Sequence, residues 1–117
     1  MEHPNGISLE NHAAVTLIKI QGDITAFSES FLNEAYQRAN KEGKDRILLQ
    51  FEPDAYINSG GIAVLIQLLA LSRKNDQRIG ITGLSGHFKK IFNMVGITKF
   101  AKIYDDTEQA LAAMQVR

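Results

Sequence analysis

The chain has 117 residues, enough for one domain with a real hydrophobic core and too few for two. Hydrophobic residues make up 44% and charged residues 22%, the balance of an ordinary globular protein, and there is no cysteine. That composition excludes disulfides, thiolate catalysis and cysteine-based zinc sites. Thirteen Lys and Arg against thirteen Asp and Glu give zero net charge, which argues against broad electrostatic capture of nucleic acid or anionic membrane.

Met1 to Asn5 are polar and do not read as a signal peptide. Ile7–Asn11 and Val15–Ile20 read as two strands. The second is β-branched and mostly alternating, and Glu10–Ala13 between them suits a tight turn. A hairpin is therefore the expected opening element. From Phe27 to Lys41 the period becomes helical, with Phe27, Phe31, Leu32, Ala35, Tyr36 and Ala39 on the inward face and Gly43 as the stop. Arg46–Phe51 is nearly continuous in apolar residues and reads as a strand covered on both faces.

Glu52–Ser59 carries turn formers and reads as a loop. Gly60–Lys74 is too long and too rich in Leu and Ala for a strand, so it predicts a helix. Its greasiest stretch, Gly60 to Leu71, is interrupted by Gln67 and too short to span a bilayer, which leaves the cytoplasm as the expected location. Arg78–Thr82 reads as a strand, Phe88 to Val95 as a helix, Ala101–Tyr104 as a last strand and Asp106–Gln115 as a last helix. The acidic Asp105–Glu108 run suits that helix's N-terminus. The order ββαβαβαβα predicts a single α/β domain over residues 1–117. Its mixed sheet should have about five strands, with four helices.

Chemistry in such folds gathers where strands feed helix N-termini. Tyr56–Ile57–Asn58–Ser59–Gly60–Gly61–Ile62 is the place of special interest. Asn58 and Ser59 are competent N-caps, and the glycines permit close backbone approach. A bound or attached phosphate would be stabilised by the free N–H groups of such a helix start. On local chemistry alone, a cap on a buried helix is the stronger reading. Gly80 to Gly86 resembles a phosphate loop only loosely, because neither the P-loop nor the dinucleotide spacing is present. His3, His12 and His87 are scattered and read as exposed polar residues, so no metal site is expected. Neither a nucleophile elbow nor a paired acid/base site is indicated, and no cofactor is implied. The apolar helix Ile62–Leu71 is hydrophobic nearly all round. It is expected either to be buried or to offer the surface near its N-terminus to a partner.

The elements together resemble the STAS domain, the fold of bacterial anti-sigma factor antagonists. The resemblance rests on Ile20–Gln21–Gly22–Asp23–Ile24, on Ile47 to Phe51 and on Asn58–Ser59–Gly60–Gly61–Ile62–Ala63–Val64–Leu65. It continues through Gly83–Leu84–Ser85 and Val95–Gly96–Ile97 to Ile103–Tyr104–Asp105–Asp106 with Glu108–Gln109–Ala110–Leu111. Each motif alone is weak; their order and spacing carry the match across nearly the whole chain. The resemblance implies a non-enzymatic module that binds an anti-sigma factor which is also a serine kinase, and so controls sigma factor availability. The helix start near Gly60 would be its docking edge, with Asp23, Thr25, Tyr56, Asn58, Ser59, Gly61 and Ile62 around it.

In the family the junction reads roughly Asp-Ser-Ser/Thr-Gly-Leu, and the second hydroxyl residue is phosphorylated, which breaks the contact. Here Asn58 stands in the Asp position, Ser59 in the first Ser position and Gly60 where the phosphorylated residue would be. Thr25 replaces a further Asp common in the family. Three outcomes stay open: binding without phospho-control, use of Ser59 instead, or a STAS branch with another task such as a transport subunit. A different class also stays open, a small-ligand or nucleotide-binding protein using the helix starts at Gly60 and Gly86.

Overall fold

The computed structural model describes residues 5–116; the readings for Met1–Pro4, including His3, lie outside that range. The elements run β1 (Gly6–His12), β2 (Val15–Gln21), a 3-10 turn (Ala26–Ser28), α1 (Glu29–Lys41) and β3 (Arg46–Phe51). They continue with α2 (Ser59–Lys74), β4 (Arg78–Thr82), α3 (Gly86–Met94), a second 3-10 turn (Ile97–Lys99), β5 (Ala101–Ile103) and α4 (Thr107–Gln115). The five strands form one sheet in the order β1-β2-β3-β4-β5. β1 is antiparallel to β2 and every later pair is parallel. The predicted α/β architecture, with a mixed five-stranded sheet and four helices, is the one observed.

Strand order dictates the layers. Crossovers of one hand that always step in one direction put their helices on one face of the sheet. The core agrees: Ile18, Ile20, Ile47, Leu49, Phe51 and Ile81 pack with residues of α1, α2 and α3. α4 follows the last strand and has no further strand to reach. It folds over the opposite face, where Ala110 and Met114 cover Val15, Leu17 and Leu48. Within β3, Ile47, Leu49 and Phe51 face one layer and Leu48 the other, which explains its unbroken apolar run. Each fully buried Leu or Ile contributes about 1.5–3 kcal/mol relative to exposure.

Several boundaries differ from the sequence reading. β1 continues through His12, so the hairpin turns on Ala13–Ala14, with Ala13 at φ 53°. His12 is half-buried, its Nε2 2.9 Å from Glu10 Oε1. α1 begins at Glu29, and Phe27, expected on its inward face, stands 68% exposed in the preceding 3-10 turn. α3 begins at Gly86 because the Ser85 hydroxyl accepts the Phe88 N–H. Val95, expected inward, lies past the end of α3 and is exposed. β5 stops at Ile103, although Tyr104 still donates its N–H to Ile81 O at 2.8 Å.

Candidate functional site at the tip of α2

The loops leaving β2 and β3 run side by side at the C-terminal edge of the sheet. Ile24 and Ile57 form an isolated parallel bridge: Ile24 N–H donates to Tyr56 O at 2.9 Å and Asn58 N–H to Ile24 O at 3.1 Å. Two carboxylates add rungs. Glu52 Oε1 accepts the Gly22 N–H at 2.7 Å, and Asp23 Oδ1 accepts the Tyr56 N–H at 2.8 Å. Asn5 braces the first loop from outside, its amide donating to Gln21 O and Asp23 O. Both loops are therefore held by specific bonds despite lying at the surface.

The first loop ends in a compact cap. Thr25 Oγ1 accepts the Phe27 N–H at 3.1 Å, and Ser28 Oγ accepts the Thr25 N–H at 3.0 Å. This reciprocal box starts the turn Ala26–Ser28 and projects Phe27 into solvent. The second loop ends at Asn58, the N-cap of α2, whose Oδ1 accepts the Gly61 N–H at 2.9 Å. Ser59 is thus the first helical residue, and it is exposed.

The two glycines of the junction differ. A Cβ on Gly61 would overlap the Ile24 carbonyl, so that position admits no side chain without moving the first loop. A Cβ on Gly60 would lie 3.1 Å from both the N and the Cβ of Ala26, tight but close to tolerable. Tyr56 is 59% exposed and meets the edge of Phe88 with ring centroids 6.0 Å apart. Ile62 is half-buried and Ala63 exposed. Further along α2, Val64, Leu65, Leu68 and Leu69 are buried, whereas Gln67, Ala70 and Leu71 are exposed. The apolar helix is therefore neither sealed nor free: one side packs on the sheet and its tip is accessible.

All the residues singled out from the sequence around this junction come together: Asp23, Thr25, Tyr56, Asn58, Ser59, Gly60, Gly61 and Ile62 occupy the two laced loops and the first turn of α2. Asp54 lies in the second loop and is exposed. Sequence reasoning missed Phe27 as a surface residue and Phe88 as the neighbour of Tyr56. The Thr25–x–x–Ser28 spacing was the available signal for the first. The glycine-rich run after β4 has a packing reason of its own. Gly83 sits at φ 88°, and a Cβ there would overlap Phe51 O. Among the described residues no group of three or more His, Asp or Glu converges as a metal site. No helix there is long and apolar enough to cross a membrane.

Comparison with known proteins agrees with this fold. Residues 6–110 match the STAS domain. The anti-sigma-B factor antagonist of Staphylococcus aureus is 22% identical over 91 residues, covering 78% of this chain and 84% of that protein. Among solved structures, an anti-sigma factor antagonist from Mycobacterium paratuberculosis superposes with a TM-score of 0.77 at 16% identity, covering 95% of this chain and 94% of the other. The antagonist SpoIIAA, in its unphosphorylated form, superposes with a TM-score of 0.70 at 14% identity, covering 96% of this chain and all of the other; a phosphorylated form from Bacillus is also known.

Proposed function

The chain belongs to the STAS domain family, and on that premise we propose that it is a regulatory binding module of the anti-sigma factor antagonist type. It binds an anti-sigma factor that is also a serine kinase, and by occupying that protein it frees a sigma factor. The module does no bond-making chemistry itself and works in the cytoplasm. The observation that carries this reading is the tip of α2: accessible, capped by Asn58 and held rigid by the laced loops. A preorganised surface of this kind loses little entropy on binding.

Control by phosphate differs from the family habit. Gly60 stands at the usual acceptor position and has no hydroxyl, and Ala26 already crowds the place where a Cβ would go. The module accordingly runs without the usual phospho-switch. Ser59, exposed one residue earlier, is the hydroxyl best placed to substitute. A phosphate there would add roughly −1.5 to −2 charge to a contact surface.

The test is to mix the purified chain with the ATPase-type anti-sigma factor of the same bacterium. The expected result is a complex by gel filtration that persists after ATP is added, with intact mass unchanged. An added phosphate that vanishes in Ser59→Ala would place the switch at Ser59. Failure to form a complex with any such kinase, together with capture by a transport subunit, would replace the reading.

A further inference from the structure

Phe27 and Tyr56 are large aromatic side chains standing mostly in solvent at one helix tip. Single exposed aromatics need no explanation. These two sit on backbones held by the Thr25–Ser28 box and by the Asp23 carboxylate, so the points from which they project are set before any partner arrives. Aromatic side chains on rigid supports are the usual energetic anchors of protein interfaces.

The charge around them is one-sided. Residues 20–33 and 47–72 build both laced loops, the start of α1 and most of α2. They contain Asp23, Glu29, Glu52 and Asp54, and neither a lysine nor an arginine. All four carboxylates are exposed. On neighbouring α3, Lys89 is held by Asp105 at 2.9 Å, which leaves Lys90 as that helix's other cation. A chain with zero net charge thus presents an acidic end. Such a face repels nucleic acid and anionic lipid and attracts cationic protein surfaces.

We infer that the tip of α2 is read by a protein surface with an apolar socket for Phe27 and Tyr56 inside a ring of lysines and arginines. The inference rests on the docking face proposed above and adds the chemistry of what it meets. Phe27 and Tyr56 set the lifetime of the complex, and the carboxylates set its rate of formation.

The experiment measures association and dissociation rates of the chain with the purified anti-sigma factor of the same bacterium as probe. Phe27→Ala and Tyr56→Ala are each expected to raise the dissociation rate about tenfold or more. The shape-conserving pair Glu29→Gln with Asp54→Asn is expected to lower the association rate about threefold to tenfold and to flatten its decline with added NaCl. Thermal unfolding of each variant separates lost contact from lost fold; Phe27→Ala, at a side chain 68% exposed, is expected to stay close to the wild-type midpoint. Unchanged rates in all these variants, with binding abolished by Ala63→Arg, would overturn the inference and leave α2-tip docking standing. Absence of any complex with the wild-type chain would overturn both. A dimer of the chain alone that Phe27→Ala disperses would assign the face to a second copy and overturn the cationic partner.

Discussion

The carboxylate of Asp23 accepts the backbone N–H of Tyr56 at 2.8 Å, joining two loops that are 33 residues apart in the chain. The bond extends the β2–β3 pairing beyond the strands, next to the Ile24–Ile57 bridge. It also determines where Tyr56 stands relative to the tip of α2. One acidic side chain thereby serves as a structural clamp and as part of the acidic surface.

Removing the acceptor tests the clamp. Asp23→Ala is expected to lower unfolding stability by about 1 kcal/mol, below the roughly 1.5–3 kcal/mol of a hydrogen bond to a charged group because the site is exposed. Asp23→Asn keeps an oxygen in the same place and is expected to lose less than half of that. Urea denaturation of the three proteins gives the ranking. Equal losses in both variants would show that charge, and not the acceptor, matters.

The two junction glycines make a paired prediction. An alanine in either position gains about 1 kcal/mol of helix propensity. At Gly61 the new Cβ meets the Ile24 carbonyl, which already accepts the Asn58 N–H, so relief of the clash breaks a rung between the loops. Overpacking of this kind costs more than propensity returns, and Gly61→Ala is expected to be destabilised by about 2 kcal/mol. At Gly60 the contact of 3.1 Å with Ala26 needs a shift of only a few tenths of an ångström. Gly60→Ala is expected to lie within about 1 kcal/mol of wild type, with chemical shift changes at the amides of Ala26 and Phe27. Thermal unfolding and amide spectra of both variants check the contrast.

Most of the fold was legible because its pieces carry unambiguous local signals. The run Ile47–Phe51 has the unbroken apolar character of a central strand, and Asn58 before a long Leu-rich segment marks the start of α2. Phe27 was misread for a specific reason: its i+4 spacing from Phe31 imitates a helical face. The backbone instead obeys Thr25 and Ser28, whose mutual hydrogen bonds make a turn that ends before α1 begins. That the residues of the candidate site lie close together was readable from motif order. Its construction was not, because the Asp23–Tyr56 and Glu52–Gly22 bonds depend on which strands become neighbours.

The hairpin carries a pH signature. Glu10 Oε2 lies 2.7 Å from Lys19 Nζ and its Oε1 2.9 Å from His12 Nε2. The hydrogen bond from Lys19 first, and that from His12 second, hold the Glu10 carboxyl below its ordinary value of 4.5. Lys89 does the same for Asp105. A carboxyl depressed in the folded state favours folding wherever it is charged in the unfolded chain. The contribution is complete above the ordinary value and is lost as pH falls through the depressed one. Glu10→Gln is therefore expected to reduce the loss of stability on acidification from about pH 5 to about pH 3. Urea midpoints across that range read the effect; parallel curves for variant and wild type would deny Glu10 a role.

Thr16 is fully buried in β2 between the core residues Val15 and Leu17, and its Oγ1 has no hydrogen-bond partner among the described residues; Thr82 Oγ1 is in the same condition in β4. Alternation along β2 puts Thr16 on the face of Ile18 and Ile20, beneath the helix layer formed by α1 to α3. An unpaired buried hydroxyl carries its desolvation cost without return. Valine keeps the branched shape and strand preference and replaces the hydroxyl with a methyl. Thr16→Val is expected to stabilise the protein by about 1 kcal/mol, a rise of about 4 °C or more in Tm for a chain near this size. Calorimetry measures it directly. A lower Tm would refute the reading of the Thr16 hydroxyl as an unpaired group.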